Sequence, residues 1–132
     1  MKKIFILEDN PNRIDSFKAM FREYEIIHTD RPDVALEILK KETELTAILL
    51  DHDLGGQGEP YSFGKYGNGD TLTKNLAKEK IHVDTPIIIH SLNWDGVRNM
   101  FSHIKDTHKN VKIVKFIEFL DADPFTRRGF LG

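Results

Sequence analysis

The chain has 132 residues, of which 39% are hydrophobic and 30% are charged, and its formal net charge is −2 at pH 7. This length corresponds to about one domain, and the composition excludes a disordered chain. The lack of cysteine excludes disulfides, a thiolate nucleophile and thiolate-bound metals. Because so small a net charge attracts neither nucleic acid nor an anionic membrane, a phosphate ligand would need a local site or a bound cation.

The amino terminus is basic and then apolar, but the apolar run at residues 4–7 stops at Glu8 and Asp9. A signal peptide needs a longer apolar segment, and a membrane helix needs about 20 residues. We therefore expect a cytoplasmic protein that does not enter a membrane. Residues 4–7 are apolar throughout and rich in β formers, which predicts a strand that is covered on both faces.

A helix and a second strand are predicted next. The helix begins near Pro11, where Asp9 is one candidate cap, and residues 25–28 form the strand. Asp30 is the expected N-cap of a second helix that has Pro32 just inside its first turn. Apolar residues recur at helical spacing in the first of these helices, at Ile14, Phe17, Met20 and Phe21.

The second half of the chain continues the alternation of strands and helices. The loop at residues 54–69 is rich in glycine, and loops this long are often functional. The charges of the last strand predict a position at the edge of the sheet. The other predicted elements are a strand at 46–50, a helix capped by Asp70 and running to about Lys80, a strand at 86–89, a helix from Trp94 to about His108 and a strand at 111–117.

Five strands separated by four helices predict one α/β domain over residues 1–120. The expected architecture is a doubly wound, five-stranded parallel sheet of order 2-1-3-4-5 with right-handed crossovers, as in flavodoxin-like folds. Residues 121–132 form a tail that is too short and too rich in Pro and Gly for a full closing helix. We expect this tail to form a single turn or to pack against a partner.

Unusual polar residues follow the strands whose carboxyl ends meet at the switch point of such a sheet, where ligands bind. Carboxylates that converge there repel one another, and a divalent cation relieves the repulsion. Oxygen ligands without sulfur favour Mg²⁺ or Mn²⁺. The alternative is that these acids only cap helices or form turns. The predicted metal ligands are Glu8, Asp9, Asp51 and Asp53.

Two histidines also lie at this rim of the predicted sheet. His90 and His52 are candidates for general acid–base catalysis, because a nearby carboxylate raises the pKa of an imidazole toward neutral pH. The alternative for His90 is a structural histidine bonded to a backbone carbonyl. The other histidines are predicted to lie at the surface: His28, His82, His103 and His108.

The pattern resembles a response-regulator receiver domain over nearly the whole chain. Glu8 and Asp9 resemble the metal-binding acidic pair of that family, Asp51 resembles its phosphoacceptor, and Asp53 falls where a backbone carbonyl reaches the metal. Two features depart from the pattern. His90 stands where receivers have Ser or Thr, and no Lys-Pro pair ends the last strand. In receivers these groups hold the phosphoryl oxygens, so their absence argues against ordinary phosphorelay signalling.

A divergent family of receivers matches more closely. Asp-His-Asp-Leu-Gly at 51–55, Asn-Gly-Asp at 68–70 and His-Ser-Leu-Asn at 90–93, followed by Gly96 and Met100, resemble the cyclic-phosphate-processing receiver family. The resemblance implies metal-dependent handling of cyclic phosphate ends during RNA repair.

Three functions remain open at this point. The first is a metal-dependent phosphoesterase that acts on a phosphate-containing small molecule or an RNA end, in which Asp51 binds the metal or attacks phosphorus. The second is a receiver phosphorylated on Asp51. The third is a non-catalytic pseudo-receiver that binds a protein partner, or a second copy of itself, through the last strand and the tail. Under the first hypothesis, the phosphate contacts fall to Ser91, Asn93 and Lys65.

Overall fold

The computed structural model describes residues 2–51, 69–90 and 94–114. In these ranges five strands alternate with four helices along the chain. The strands are β1 (Lys3–Leu7), β2 (Glu25–Thr29), β3 (Leu45–Leu50), β4 (Ile87–Ile89) and β5 (Val111–Ile113). The helices are α1 (Pro11–Met20), α2 (Pro32–Lys41), α3 (Gly69–Glu79) and α4 (Trp94–Ile104).

All four strand pairings are parallel, and the order in the sheet is β2-β1-β3-β4-β5, which confirms the predicted fold. The register determines which residues emerge together at the carboxyl edge. Leu7 of β1 lies opposite Leu50 of β3, and Leu50 lies opposite Ile89 of β4. The residues that follow these three strands therefore leave the sheet in one row.

Helices cover both faces of the sheet, which explains why its central strands are apolar at every position. Phe5, Ile48 and Leu50 pack with α2, α3 and α4 on one face, whereas Ile6 and Leu49 pack with α1 on the other. The alternation follows from the two-residue period of a strand. As a result, the residues of β1 and β3 are packed between helices up to the carboxyl edge of the sheet.

The two capping predictions for α1 and α2 are wrong by one residue each. Asn10, and not Asp9, caps α1, since its Oδ1 accepts hydrogen bonds from the N–H groups of Asn12 at 2.9 Å and Arg13 at 3.3 Å. The N-cap of α2 is Arg31, and its side chain makes no capping bond. Asp30 therefore lies outside the helix.

The third cap and two element boundaries also differ from the predictions. Asp70 lies inside the first turn of α3 rather than at its cap, because the helix already begins at Gly69. α4 ends at Ile104, four residues before His108, where the carbonyl of Ile104 accepts from the N–H of His108 at 2.9 Å in a closing turn. β5 ends at Ile113, and it lies at the sheet edge as predicted.

Some predictions concern parts of the chain that the structure does not describe. These are the long loop at 54–68, the last residues of the predicted fifth strand at 115–117 and the tail at 121–132. Among the helices in the described ranges, none is long and apolar enough to cross a membrane.

Candidate metal centre

Three acidic residues converge at the carboxyl edge of the sheet. Glu8 and Asp51 directly follow the paired ends of β1 and β3, and the N–H of Asp51 donates to the carbonyl of Leu7 at 3.0 Å. Carboxylate oxygens of Glu8, Asp9 and Asp51 all lie within 4.8 Å of one another. The side chains of Glu8 and Asp51 are buried, and that of Asp9 is half-buried. The predicted convergence of these three acids is therefore present in the fold.

Both oxygens of the Glu8 carboxylate have partners that fix its position. Oε2 accepts from the N–H groups of Asp9 at 3.0 Å and Asn10 at 3.2 Å, at the start of α1. Oε1 lies 3.4 Å from Nη1 of Arg13 and 3.5 Å from Nδ1 of His90. Burial raises the pKa of Glu8, and the favourable hydrogen bonds and the charge of Arg13 do not reverse this rise.

Arg13 belongs to the site, although we did not single it out from the sequence. Its Nη1 atom lies 3.4 Å from Oε1 of Glu8 and 3.9 Å from Oδ2 of Asp51, and its side chain is 19% exposed. The sequence did contain a signal for this residue. Arg13 lies in the first turn of α1, where a basic side chain is unfavourable because its charge opposes the helix dipole. Helical side chains also lean toward the N-terminus, which directs this one to the strand ends.

His90 follows β4 in the same row and is completely buried. Its N–H donates to the carbonyl of Leu50 at 2.9 Å, and its ring packs edge-on against Phe17 with the centroids 5.2 Å apart. Burial, followed by the charge of Arg13, lowers the pKa of His90 to about 3. The expected rise of this pKa is therefore wrong. The Glu8 carboxylate favours the imidazolium, but the loss of water outweighs one nearby carboxylate.

The remaining predicted site residues lie outside the described part of the chain: His52, Asp53, Lys65, Ser91 and Asn93. Of the four histidines expected at the surface, His28 is exposed and His82 and His103 are half-buried. His108 is buried, which contradicts the prediction. Its ring is accommodated because Nε2 donates to the carbonyl of Ile81 at 2.6 Å and Nδ1 lies 2.8 Å from Oγ1 of Thr107.

The three carboxylates fit a hard divalent cation. They offer oxygen ligands alone, their ligand atoms converge, and two of them are buried where like charges repel strongly. Among the described residues, the guanidinium of Arg13 faces Glu8 and Asp51 and offsets part of this charge. Carboxylate ligands of this kind suit Mg²⁺ or Mn²⁺ better than a soft metal.

Several solved structures that are similar to this chain are receiver domains. The response regulator TrrA of Thermotoga maritima, in complex with Mg²⁺ and BeF, is 20% identical, with 98% of this chain and 96% of that chain covered and a TM-score of 0.65. The receiver domain of a Pseudomonas aeruginosa sensor histidine kinase, with magnesium in its active-site cleft, is 21% identical, with coverages of 91% and 92% and a TM-score of 0.62. A signal receiver domain from Pseudomonas fluorescens is 12% identical, with coverages of 98% and 86% and a TM-score of 0.68. The fold is therefore that of a receiver domain.

The sequence also matches one particular family within the receiver domains. The model of the cyclic-phosphate processing receiver domain matches residues 5–106, which is most of the chain. The chain belongs to this family of receiver domains. It matches no curated protein sequence.

Proposed function

We propose that the domain is a metal-dependent phosphoesterase that acts on the cyclic phosphate ends of RNA or nucleotides. The observation that carries the proposal is the convergence of Glu8, Asp9 and Asp51 within 4.8 Å at the ends of two paired strands. The membership of the chain in the cyclic-phosphate processing family supports this substrate class.

The same three carboxylates would hold the cation, with Asp53 as a further proposed ligand. A Mg²⁺ or Mn²⁺ ion held there would polarise a phosphoryl oxygen and neutralise the negative charge that grows on it. Asp51 follows the central strand β3, and it would either share in metal binding or attack phosphorus. In the second case one ring P–O bond of the cyclic phosphate breaks, the leaving oxygen takes a proton from His52, and water then hydrolyses the acyl phosphate on Asp51. The burial of Asp51 to 2% exposure keeps water from competing for its oxygens.

Arg13 is proposed to contact the phosphoryl oxygens. Its guanidinium lies beside both Glu8 and Asp51, and its side chain remains partly exposed. Guanidinium groups match the geometry of phosphate through paired N–H donors. A guanidinium in this position would compensate for the strand-five lysine that the sequence lacks at the receiver position.

His90 is proposed as a positioning residue. It is buried against Phe17, it is neutral at pH 7, and its Nδ1 lies 3.5 Å from the carboxylate of Glu8. Acid–base catalysis falls to His52 in this proposal. Ser91, Asn93 and Lys65 stay the proposed phosphate contacts.

The experiment is hydrolysis of a 2′,3′-cyclic nucleotide with Mn²⁺ or Mg²⁺, comparing the wild type with Asp51→Asn and Arg13→Gln. Asp84→Asn is the matched control, because Asp84 is exposed and pairs with Lys109 away from the candidate centre. We expect metal-dependent turnover in the wild type and the control, and a loss of about 100-fold or more in Asp51→Asn. Wild-type protein that gives no turnover with either metal would contradict the proposal.

Phosphorylation of Asp51 is the second candidate function. It is favoured by the position of Asp51 after β3, beside the acidic pair, and by the Mg²⁺ and BeF complex of a solved receiver of the same fold. Beryllofluoride with Mg²⁺ should then shift the backbone NMR signals of residues 8–10, 51 and 90. Unchanged spectra at saturating Mg²⁺ and beryllofluoride would exclude this function.

A further inference from the structure

A cavity of about 310 Å³ adjoins the candidate metal centre on the side of β2. It shares Glu8 and Asp9 with the acidic cluster, so the cavity and the cluster are adjacent. The rest of its lining comes from α1 and from the end of β2, through Pro11, Ile14, Asp15, Lys18, His28 and Asp30. The proposed phosphate chemistry leaves this cavity without a role.

The charges of the lining indicate what part of a substrate fits there. The four acidic residues Glu8, Asp9, Asp15 and Asp30 outnumber the basic residues Lys18 and His28. A second phosphate group would meet net repulsion, whereas uncharged O–H and N–H donors would find carboxylate acceptors. Pro11 and Ile14 add an apolar surface of the kind against which a ring packs. These properties fit a sugar and a base better than a polyanion.

Asp30 has a position that recurs in nucleotide-binding sheets. It directly follows β2, next to the strand that carries the acidic pair. In dinucleotide-binding Rossmann folds, an acidic residue about 20 residues beyond the first βα turn accepts a hydrogen bond from a ribose hydroxyl, and Asp30 lies at a comparable sequence distance from the residues after β1. The glycine-rich turn that binds a pyrophosphate is missing after β1, which fits a ligand whose single phosphate lies at the metal centre.

His28 links the cavity to the metal centre. Its Nε2 donates to the backbone carbonyl of Glu8 at 2.7 Å, and the N–H of Glu8 donates to the carbonyl of Thr29 at 3.2 Å. The end of β2 is therefore tied to the residue that leads into the acidic cluster. This coupling fixes the distance between the two parts of the binding surface.

We propose that this cavity is the nucleoside subsite of the domain. The proposal rests on the proposed phosphoesterase function and names the part of the substrate that the metal centre leaves unbound. The phosphate would bind the cation that Glu8, Asp9 and Asp51 hold in the proposed function, and the attached sugar and base occupy the cavity. Asp30 and Asp15 accept hydrogen bonds from their O–H and N–H groups.

The test is an NMR titration in Mg²⁺ with two probes, adenosine 3′-monophosphate and inorganic phosphate. We expect the nucleotide to bind at least about tenfold more tightly, since a hydrogen bond to a charged group contributes roughly 1.5–3 kcal/mol. The nucleotide should shift the amide signals of Asp15, Lys18 and Asp30, whereas phosphate should leave them in place. Equal affinities for the two probes would overturn the subsite.

Variants of the exposed acids make the test specific. Asp30→Asn and Asp15→Asn should each weaken nucleotide binding about tenfold and leave phosphate binding unchanged. Both residues are exposed, so the substitutions spare the core. Asp84→Asn is the matched control at the opposite end of the sheet. Nucleotide affinities in Asp30→Asn and Asp15→Asn that equal the control value would contradict the proposal.

Two different failures can be told apart by adding a phosphodiester without a nucleoside, bis(p-nitrophenyl) phosphate. If the protein hydrolyses this ester with metal but binds the nucleotide no more tightly than phosphate, the subsite proposal is contradicted and the phosphoesterase proposal is supported. If the protein prefers the nucleotide tenfold, if Asp30→Asn abolishes this preference and if no ester is turned over, the subsite proposal is supported and the phosphoesterase proposal is contradicted.

Discussion

The two ends of the sheet treat buried polar side chains in opposite ways. At the amino end, His82 and His108 each use Nε2 to donate to a backbone carbonyl, that of Leu39 at 2.8 Å and that of Ile81 at 2.6 Å. Both rings also lie beside a threonine hydroxyl. These histidines tie the ends of α2, α3 and α4 together. Their polar atoms have neutral partners in the fold itself, so their role is structural.

At the carboxyl end, the buried groups are charged or lie against charges. Glu8 and Asp51 are carboxylates with less than a tenth of their surface exposed, and the imidazole of His90 lies against Glu8. Burying like charges is unfavourable unless a cation compensates them. Natural proteins often accept such a loss of stability where a ligand binds. The amino end of the sheet therefore stabilises the fold, whereas the carboxyl end is arranged to bind a ligand.

The largest expected effect comes from Asp51→Asn. Removing one ligand charge should weaken Mg²⁺ or Mn²⁺ binding about 100-fold or more, measured by calorimetry. Because the substitution also relieves repulsion among buried carboxylates, the metal-free protein should gain about 1–2 kcal/mol in its free energy of unfolding. Denaturation in urea measures this gain. Wild-type metal affinity combined with a loss of stability would show that Asp51 is a structural residue.

His108→Ala should have the opposite pattern. Truncation leaves the carbonyl of Ile81 buried without its imidazole donor and opens a cavity, so the free energy of unfolding should fall by roughly 2–3 kcal/mol. Metal affinity should stay at the wild-type value, because His108 lies at the other end of the sheet. The same urea and calorimetry measurements decide the outcome. A selective loss of metal binding in His108→Ala would contradict the purely structural role of the amino end.

Arg13→Gln tests the charge balance within the carboxyl end. Removing a positive charge beside Glu8 and Asp51 should strengthen binding of a divalent cation about tenfold, as expected for one charge a few ångströms away at intermediate dielectric. Turnover of a cyclic nucleotide should fall at the same time, because the proposed phosphate contact is lost. Lys18→Gln, a control on the same helix, should leave metal affinity unchanged. Weaker metal binding in Arg13→Gln would contradict this assignment.

The smallest expected effect concerns Asp70, in the first turn of α3. Burial alone would raise its pKa, but hydrogen bonds from His103 at 2.7 Å and Lys74 outweigh burial and lower the pKa. A lowered pKa stabilises the fold above the unfolded value of about 3.9, and the stabilisation is lost as the pH falls through the folded value.

Asp70→Asn should therefore reduce the free energy of unfolding by about 1 kcal/mol at pH 7. The difference from the wild type should shrink as the pH falls through the lowered pKa of the wild-type carboxyl, and it should disappear below that pKa. Urea denaturation at a series of pH values provides the measurement. A difference that persists unchanged at low pH would mean that the carboxylate charge is not its source.

The sequence was sufficient for the fold and for the convergence of the acids. Apolar runs at β1, β3 and β4 and the helical spacing in α1 determine the alternation, and the parallel order then places Glu8 and Asp51 together. These features depend on the periodicity of many residues. A local irregularity does not change them.

The rest depended on details that a pattern does not contain. Asp30 and Asn10 are both good capping residues, and only the local backbone decides that one caps a helix and the other does not. The pKa of His90 depends on competition between burial and a single carboxylate, and burial can be judged only from packing. His108 is buried because Ile81 and Thr107 offer hydrogen-bond partners from distant and adjacent positions.

The central claim is that a divalent cation binds at the carboxyl end of the sheet, between Glu8, Asp9 and Asp51. Titration of ¹⁵N-labelled protein with Mn²⁺ tests it directly, because the paramagnetic ion broadens the NMR signals of nearby amides. We predict that substoichiometric Mn²⁺ broadens the signals of residues 8–10, 51 and 90, that excess Mg²⁺ restores them, and that the signals of residues 81–85 and 107–109 at the amino end stay sharp. Broadening that is absent from residues 8–10 and 51, or equal at both ends, would contradict the claim.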